Sequence, residues 1–354
     1  MDFESVIEAG LGYDCGGIDH LTASTWVSVC GNGLRLRTRN KGDKFLEGTG
    51  SGVGVFAVCR STCMLAYAER GALAPVVHLH DCDSLARVAS IEGAAALDVA
   101  ALAFSNNGQL LATASVHPDH KLRLWDLSQT EPALLVESTL DFDIADLTFN
   151  PLNEHQLCAS GAGRLVIFNV DRADKHYSVR RVDADFGGDF LTQSLRPHCH
   201  AWMPGSVLYV GCAGGEALAV RALSGRPVRS SVSGALSIIV TDDAAPITRV
   251  AATRHHVVLF TQLGRALWYT HAVDVQGETK PGAASLVHEE VLGMAEVRGV
   301  SFEEDHQAML VGLADGSVVR IADTPSDKKA MPPAVATEVA TELDAHAGAV
   351  AGLA

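Results

Sequence analysis

The stretch Leu97–Leu140 limits what this chain can fold into more than any other feature. It opens with LDVAALAFS, an apolar run ending at Phe104-Ser105, followed by Asn106-Asn107-Gly108, residue types that tolerate the positive φ of a tight turn. QLLATAS is a second apolar run. After His117-Pro118-Asp119-His120, the run KLRLWDLS places Leu122, Leu124 and the Trp125-Asp126 pair with strand periodicity, and ALLVEST supplies a fourth strand. Four strands in about 45 residues, the third ending in Trp-Asp, is the signature of one propeller blade. A lone blade cannot bury both of its faces, so the motif demands neighbours.

The neighbours are legible in degraded form. Upstream, GVFAVC, CMLAYAE and VVHLHD repeat three of the strands, with His80-Asp81 in the place of Trp125-Asp126. Downstream, DIADLTFN, QLCAS and RLVIFNV repeat them with Phe168-Asn169 in that place. Three further units follow: HCHAWMPG with VLYVGCAGGE and ALAVRAL, PITRVAAT with HVVLFTQ and RALWYTHA, and VRGVSFEED with AMLVGLADG and SVVRIAD. A weaker first unit reads TWVSVCG, LRLRTRN and KFLEG. Inner-strand anchors fall at Ala57, Phe104, Phe149, Trp202, Val250 and Phe302, roughly 45–53 residues apart. The pattern predicts an all-β, seven-bladed propeller of the WD-repeat type with four-stranded antiparallel blades. Residues 13–345 form the propeller, residues 1–12 a lead-in, and residues 346–354 a closing strand or the opening of a further repeat. Phe104, Trp125, Asp126, Phe149, Phe168, Trp202 and Phe302 are the expected blade anchors, with the aromatic rings buried between blades. The run Thr324–Thr341, with Pro325 and Pro332-Pro333, reads as a long surface loop, and the ending His346–Ala354 reads as the start of another repeat in a longer protein.

Composition narrows the function classes. With 47% apolar and 19% charged residues the chain has the material for a large core. A formal charge of −15 without Lys/Arg clusters argues against nucleic acid or an anionic membrane as partner. No apolar run reaches the roughly 18–20 residues of a membrane span, and MDFESVIEAG is not a signal peptide. The eight cysteines sit mostly in apolar runs with no Cys-x-x-Cys pair, which reads as reduced, buried thiols in an intracellular protein.

Candidate chemistry is thin. The Gly48–Gly54 glycine run matches neither a dinucleotide fingerprint nor a P-loop and reads as an inter-blade turn. In His198-Cys199-His200 two imidazoles share a strand face, but a zinc site needs a third and fourth ligand, and no second pair stands nearby in sequence. His255-His256 reads as structural, and His117, Asp119 and His120 as a surface loop. Asp141, Asp143 and Asp146, with Asp183, Asp185 and Asp189, are candidates for an acidic docking surface. No catalytic, cofactor-binding or metal-binding residue set is read from the sequence.

Several phrases go beyond general blade consensus: AYAERG-x-x-x-P, S-x-x-P-D-x-x-L-x-L-W-D and F-N-P-x-N-E-x-Q-L. Together with GLGYDCGGIDHL, STWVSVCGNGLRLRT and GLADGSVVRI, they resemble the N-terminal propeller region of the cilia- and flagella-associated WD-repeat proteins 43 and 44, over about Leu11 to Asp323. The segment HCHAW-x-P-x-x-x-LYVGC resembles the 43 branch more closely. The resemblance implies a non-enzymatic axonemal scaffold with tandem propellers and coiled coil in the full-length relatives. It also implies a tether or tether-head assembly that joins an inner-arm dynein motor region to the doublet microtubule and regulates ciliary beating, with protein 44 as the companion subunit. The competing expectations are a WD-repeat adaptor in another soluble complex and, less well supported, a propeller enzyme acting in the central channel.

Overall fold

The structure, a computed structural model, describes residues 9–10, 17–22, 24–38, 42–48, 52–71, 73–173, 176–186, 194–203, 207–228, 238–253, 255–271, 284–302 and 308–322. Every regular element among them is a β-strand, and the strands form seven antiparallel sheets. The best-defined unit is blade 3: Val99–Phe104, Leu110–Ser115, Lys121–Asp126 and Ala133–Thr139, paired in chain order from the channel outwards. Blade 1 begins with Ile18–Thr22, blade 2 with Val53–Cys59, blade 4 with Asp146–Asn150, blade 5 with Pro197–Trp202, blade 6 with Ile247–Ala252 and blade 7 with Val297–Phe302. Consecutive inner strands touch, and the inner strand of blade 7 touches that of blade 1, so the ring is closed. The chain is a seven-bladed β-propeller.

Burial follows from this arrangement. A blade is covered on both faces, so its middle strands read as unbroken apolar runs rather than alternating ones. Leu110–Ser115, Val207–Cys212, His256–Thr261 and Ala308–Leu313 are buried at every position. The outermost strands alternate instead, as in His176–Asp183, because one face meets solvent. The buried apolar side chains form seven clusters, one at each junction between blades. Trp125 belongs to the junction of blades 2 and 3, and Phe149 and Phe168 to that of blades 3 and 4.

Two devices repeat. In five blades the inner strand carries a bulge near its start, between Val53/Val55, Val99/Ala101, Pro197/Cys199, Ile247/Arg249 and Val297/Gly299. A bulge increases local twist, which suits strands that must lean around a common axis. In the same five blades the residue after the second strand donates its N–H to the carbonyl of the residue preceding the inner strand: Arg70 to Gly52, Val116 to Asp98, Ala213 to Arg196, Gln262 to Pro246 and Ala314 to Glu296. These bonds bind each turn between second and third strands to the connection arriving from the previous blade. The glycine run between blades 1 and 2 also packs on the turn of blade 1 that it leaves. A Cβ on Gly48 would lie 2.3 Å from the carbonyl oxygen of Asn32, and Gly52 sits at φ +97° against the same residue.

Ring closure differs from the sequence reading in one respect. Ala9–Gly10, inside the segment read as a lead-in, pairs antiparallel with Val318 and Ser317 and supplies the outer strand of blade 7. The first and last strands of the described chain thus share one sheet. Blade 5 also departs from the pattern: its outer position is split between Arg226–Pro227 and Ile238–Val240, which cover opposite ends of Glu216–Arg221. The expected surface loop at Thr324–Thr341 and the closing or opening strand at His346–Ala354 lie outside the described residues.

Candidate functional site

All seven inner strands line a central channel with a cavity of about 400 Å³. Its aromatic lining comes from Phe56, Trp202 and Phe302, and its polar lining includes Asp19, Asp146, Thr148, His200, Arg249 and Arg298. A propeller enzyme would act here, so each polar group needs an account.

The most ordered group centres on His200, whose ring is fully buried. Trp202 Nε1 donates to Thr148 Oγ1 at 2.9 Å, and Thr148 Oγ1 stands 2.8 Å from His200 Nε2. On the other side Ser160 Oγ is 2.8 Å from His200 Nδ1 and donates to the His198 carbonyl at 3.2 Å. With the ring neutral, as its burial favours, donors and acceptors at these four contacts balance in one way. The Trp202 N–H feeds Thr148, the Thr148 hydroxyl feeds Nε2, and the Nδ1–H feeds Ser160, whose own proton goes to the backbone. His200 is therefore the neutral Nδ1–H tautomer. Burial holds its pKa below the ordinary histidine value, the Asp146 carboxylate 3.8 Å away opposes the shift, and Arg249 reinforces it.

This arrangement superficially matches a nucleophile–histidine–carboxylate set, with Thr148 on Nε2 and Asp146 near Nδ1. The details differ. The short bond at Nδ1 goes to Ser160 rather than to the carboxylate, and the backbone of Thr148 is committed to the strand ladder opposite Cys158. Both ring nitrogens of His200 are occupied by hydroxyls, which leaves neither for a metal, while Cys199 Sγ points the other way, toward the carbonyls of Gly211 and Ile247. Burial raises the Cys199 thiol, and that of Cys212 is pushed up to about 12. Among the described residues no group of three or more His, Cys, Asp or Glu could hold a metal ion.

A second network joins blades 7, 1 and 2, and the sequence reading missed it. Ser301 Oγ donates to Asp19 Oδ1 at 2.6 Å and accepts the His20 N–H at 2.8 Å. Arg60 reaches in from the end of blade 2's inner strand: Nε donates to the His20 carbonyl at 2.9 Å and Nη2 to Ser301 Oγ at 2.9 Å, with Asp19 Oδ1 3.3 Å away. It bonds the first inner strand to the last across 281 residues of sequence. The remaining channel arginines are also engaged: Arg249 Nη1 donates to Thr248 O at 2.8 Å, and Arg298 pairs with Glu296 at 3.0 Å.

The blade anchors divide by position. Trp125 is 6% exposed and donates Nε1–H to Thr113 Oγ1 at 3.1 Å. Phe168 is fully buried and Phe149 nearly so. Phe104, Trp202 and Phe302 are half-buried, each packed against a junction cluster, and the last two face the channel. Asp126 is a turn residue that accepts the Ser128 N–H at 2.8 Å, as Asp81 accepts that of Ser84.

The candidates for an acidic docking surface fall in different settings. Asp141 and Asp183 are clamped by Arg164 and Arg181 in a four-membered ion-pair network, which holds both carboxyls below their ordinary pKa, burial opposing in each case. Asp143 pairs with His120, Asp146 faces the channel, Asp185 donates its backbone N–H to Gly225 O at 3.0 Å, and Asp189 lies outside the described residues. The two arginines arrive from the third and fourth strands of blade 4, which no local reading of the Asp-rich segment reveals.

Comparison with known proteins agrees with this geometry. Residues 86–126 match the family described as WD domain, G-beta repeat. The chain is 28% identical over 240 residues to cilia- and flagella-associated protein 43 of Xenopus laevis, covering 54% of this chain and 15% of that protein. It is 26% identical to protein 43 of Chlamydomonas reinhardtii over 98% of this chain and 24% of that protein. Protein 44 of Mus musculus is 29% identical over 45% of the chain and 9% of that protein. The matched region is thus less than a quarter of the length of these relatives. Among solved structures, a chain of the Mitotic Checkpoint Complex superposes with a TM-score of 0.68 at 12% identity, covering 92% of this chain and 98% of that one. The WD40 repeats of RRP9 give 0.66 at 12%, covering 91% and 99%. At that identity they bear on the fold alone. The chain is a seven-bladed WD-repeat β-propeller, similar in sequence to cilia- and flagella-associated proteins 43 and 44.

Proposed function

We propose that this chain is the propeller part of a non-enzymatic scaffold of the ciliary or flagellar axoneme. In this reading it belongs to a tether or tether-head assembly that joins an inner-arm dynein motor region to the doublet microtubule and regulates beating, with protein 44 as companion. The observation that carries the reading is the similarity to protein 43 along 98% of the chain. The channel supports it: its histidine, hydroxyls and closure network bond one another, which rigidifies a platform rather than assembling a reaction centre. The formal charge of −15 favours contact with tubulin, itself acidic, through an intermediary over direct contact.

The test is fractionation of a tagged full-length protein in a ciliated cell. It is expected to stay with demembranated axonemes and leave them in high salt. A protein found only in the detergent-soluble cytosolic fraction overturns the axonemal reading and favours a WD-repeat adaptor of another soluble complex.

A further inference from the structure

The loop face over blades 6 and 7 carries three exposed apolar side chains on two backbones in contact. Leu263 is 57% exposed, Val291 65% and Met294 fully exposed. Leu263 lies in the turn between the second and third strands of blade 6. That turn packs on the connection to blade 7: Leu292 N–H donates to Gly264 O at 2.9 Å, and a Cβ on Gly264 would lie 2.5 Å from Gly293 O. Within the connection, Leu292 and Ala295 turn into the core of blades 6 and 7. Val291 and Met294 turn out, so the fold does not use them. Singly exposed apolar residues are ordinary, whereas three at one place mark a contact surface.

The border of this patch is acidic. Asp243 and Glu289 stand at Arg265, the residue after Gly264; exposed Asp242 adjoins Asp243, Glu290 adjoins Val291 with its Oε2 3.4 Å from His288 Nε2, and Asp315 sits two residues from Leu313, whose side chain reaches Gly293. The nearest guanidiniums are already engaged, Arg265 by Asp243 and Glu289 and Arg298 by Glu296. We propose that Leu263, Val291 and Met294 dock a peptide segment of a partner protein whose apolar anchors are flanked by Lys or Arg. Apolar contact supplies the anchor, and the carboxylate border selects the flanks. The inference deepens the scaffold reading and rests on it.

The test places the photo-crosslinking residue p-benzoylphenylalanine at position 294 of the full chain, with the outer-rim position 134 as control, in extract of ciliated cells. The dominant crosslinked segment is identified, and a synthetic peptide of that segment is titrated against the unmodified chain. A segment with apolar residues beside Lys or Arg is expected. Its Kd should rise at least tenfold in Leu263→Ser/Met294→Ser and in Asp242→Lys/Glu290→Lys, and should rise with salt. Crosslinking no stronger than at position 134, a dominant second copy of this chain, an acidic segment, or a Kd unchanged in both variants overturns the proposal. A segment of the expected chemistry from a protein outside cilia supports the surface while sinking the axonemal reading, so the two can fail separately.

Discussion

Trp125→Ala tests the blade-packing account where it is most quantitative. The indole is 6% exposed and packs with Val77, Leu79, Leu102 and Leu111 at the junction of blades 2 and 3. Truncating a buried Trp costs roughly 3–5 kcal/mol, part of it the void left behind. The change also orphans Thr113, which is fully buried and accepts the indole N–H. An unfolding entropy of about 2.1 cal/mol/K per residue gives roughly 0.7 kcal/mol/K for a chain of this length. A loss of about 4 kcal/mol then lowers Tm by about 5–6 °C. Trp125→Phe retains most of the apolar contact but loses the donor, and should cost about 1–2 kcal/mol. Thr113→Val orphans the indole N–H instead and should fall in the same range. The double variant Trp125→Phe/Thr113→Val should show a coupling of about 1 kcal/mol. The assay is thermal and urea unfolding at fixed protein concentration. A Tm for Trp125→Ala within 1 °C of the parent, or a Phe variant as damaging as the Ala variant, would refute the reasoning.

Three further outcomes follow from the site. Arg60→Met should free the inner strands of blades 1 and 7, read as faster amide exchange in Ile18–Thr22 and Val297–Phe302 with Leu110–Ser115 unchanged. Stability should fall as pH drops below about 6.5, the ordinary histidine value, because His80, His198 and His200 all have lowered pKa in the fold and the unfolded chain takes up protons first. His200→Asn should flatten that dependence, by at most about 1.4 kcal/mol per pH unit. Gly264→Ala should destabilise the turn of blade 6 by about 1 kcal/mol or more, since φ there is +73° and the carbonyl of Gly293 blocks a Cβ; urea unfolding reads it.

The repeat was legible because blade strands obey local rules. The turn Asn106–Gly108, the runs around Trp125 and the spacing of Phe104, Phe149, Trp202 and Phe302 are written within short windows. Blade 1 was only partly legible: its inner strand Ile18–Thr22 carries Asp19 and His20, polar residues that look wrong for an inner strand until Ser301 and Arg60 are placed beside them. Ala9–Gly10 is too short to have a pattern and is defined only by its partners Val318 and Ser317. His200 is legible in sequence only as one of two imidazoles on a strand face. Its strand neighbours supply no further ligand, and its actual partners Thr148 and Ser160 belong to the preceding blade. What escaped the sequence reading was in each case a contact between residues distant in the chain.

The measurement that tests the central claim most directly is cryo-electron tomography of axonemes from a strain lacking the full-length protein, compared with the parent strain. The account predicts loss of density at the base of an inner-arm dynein motor, with the doublets and the cilium itself intact and the beat waveform altered. Unchanged density there, in axonemes of the parent strain that contain the protein, would contradict it.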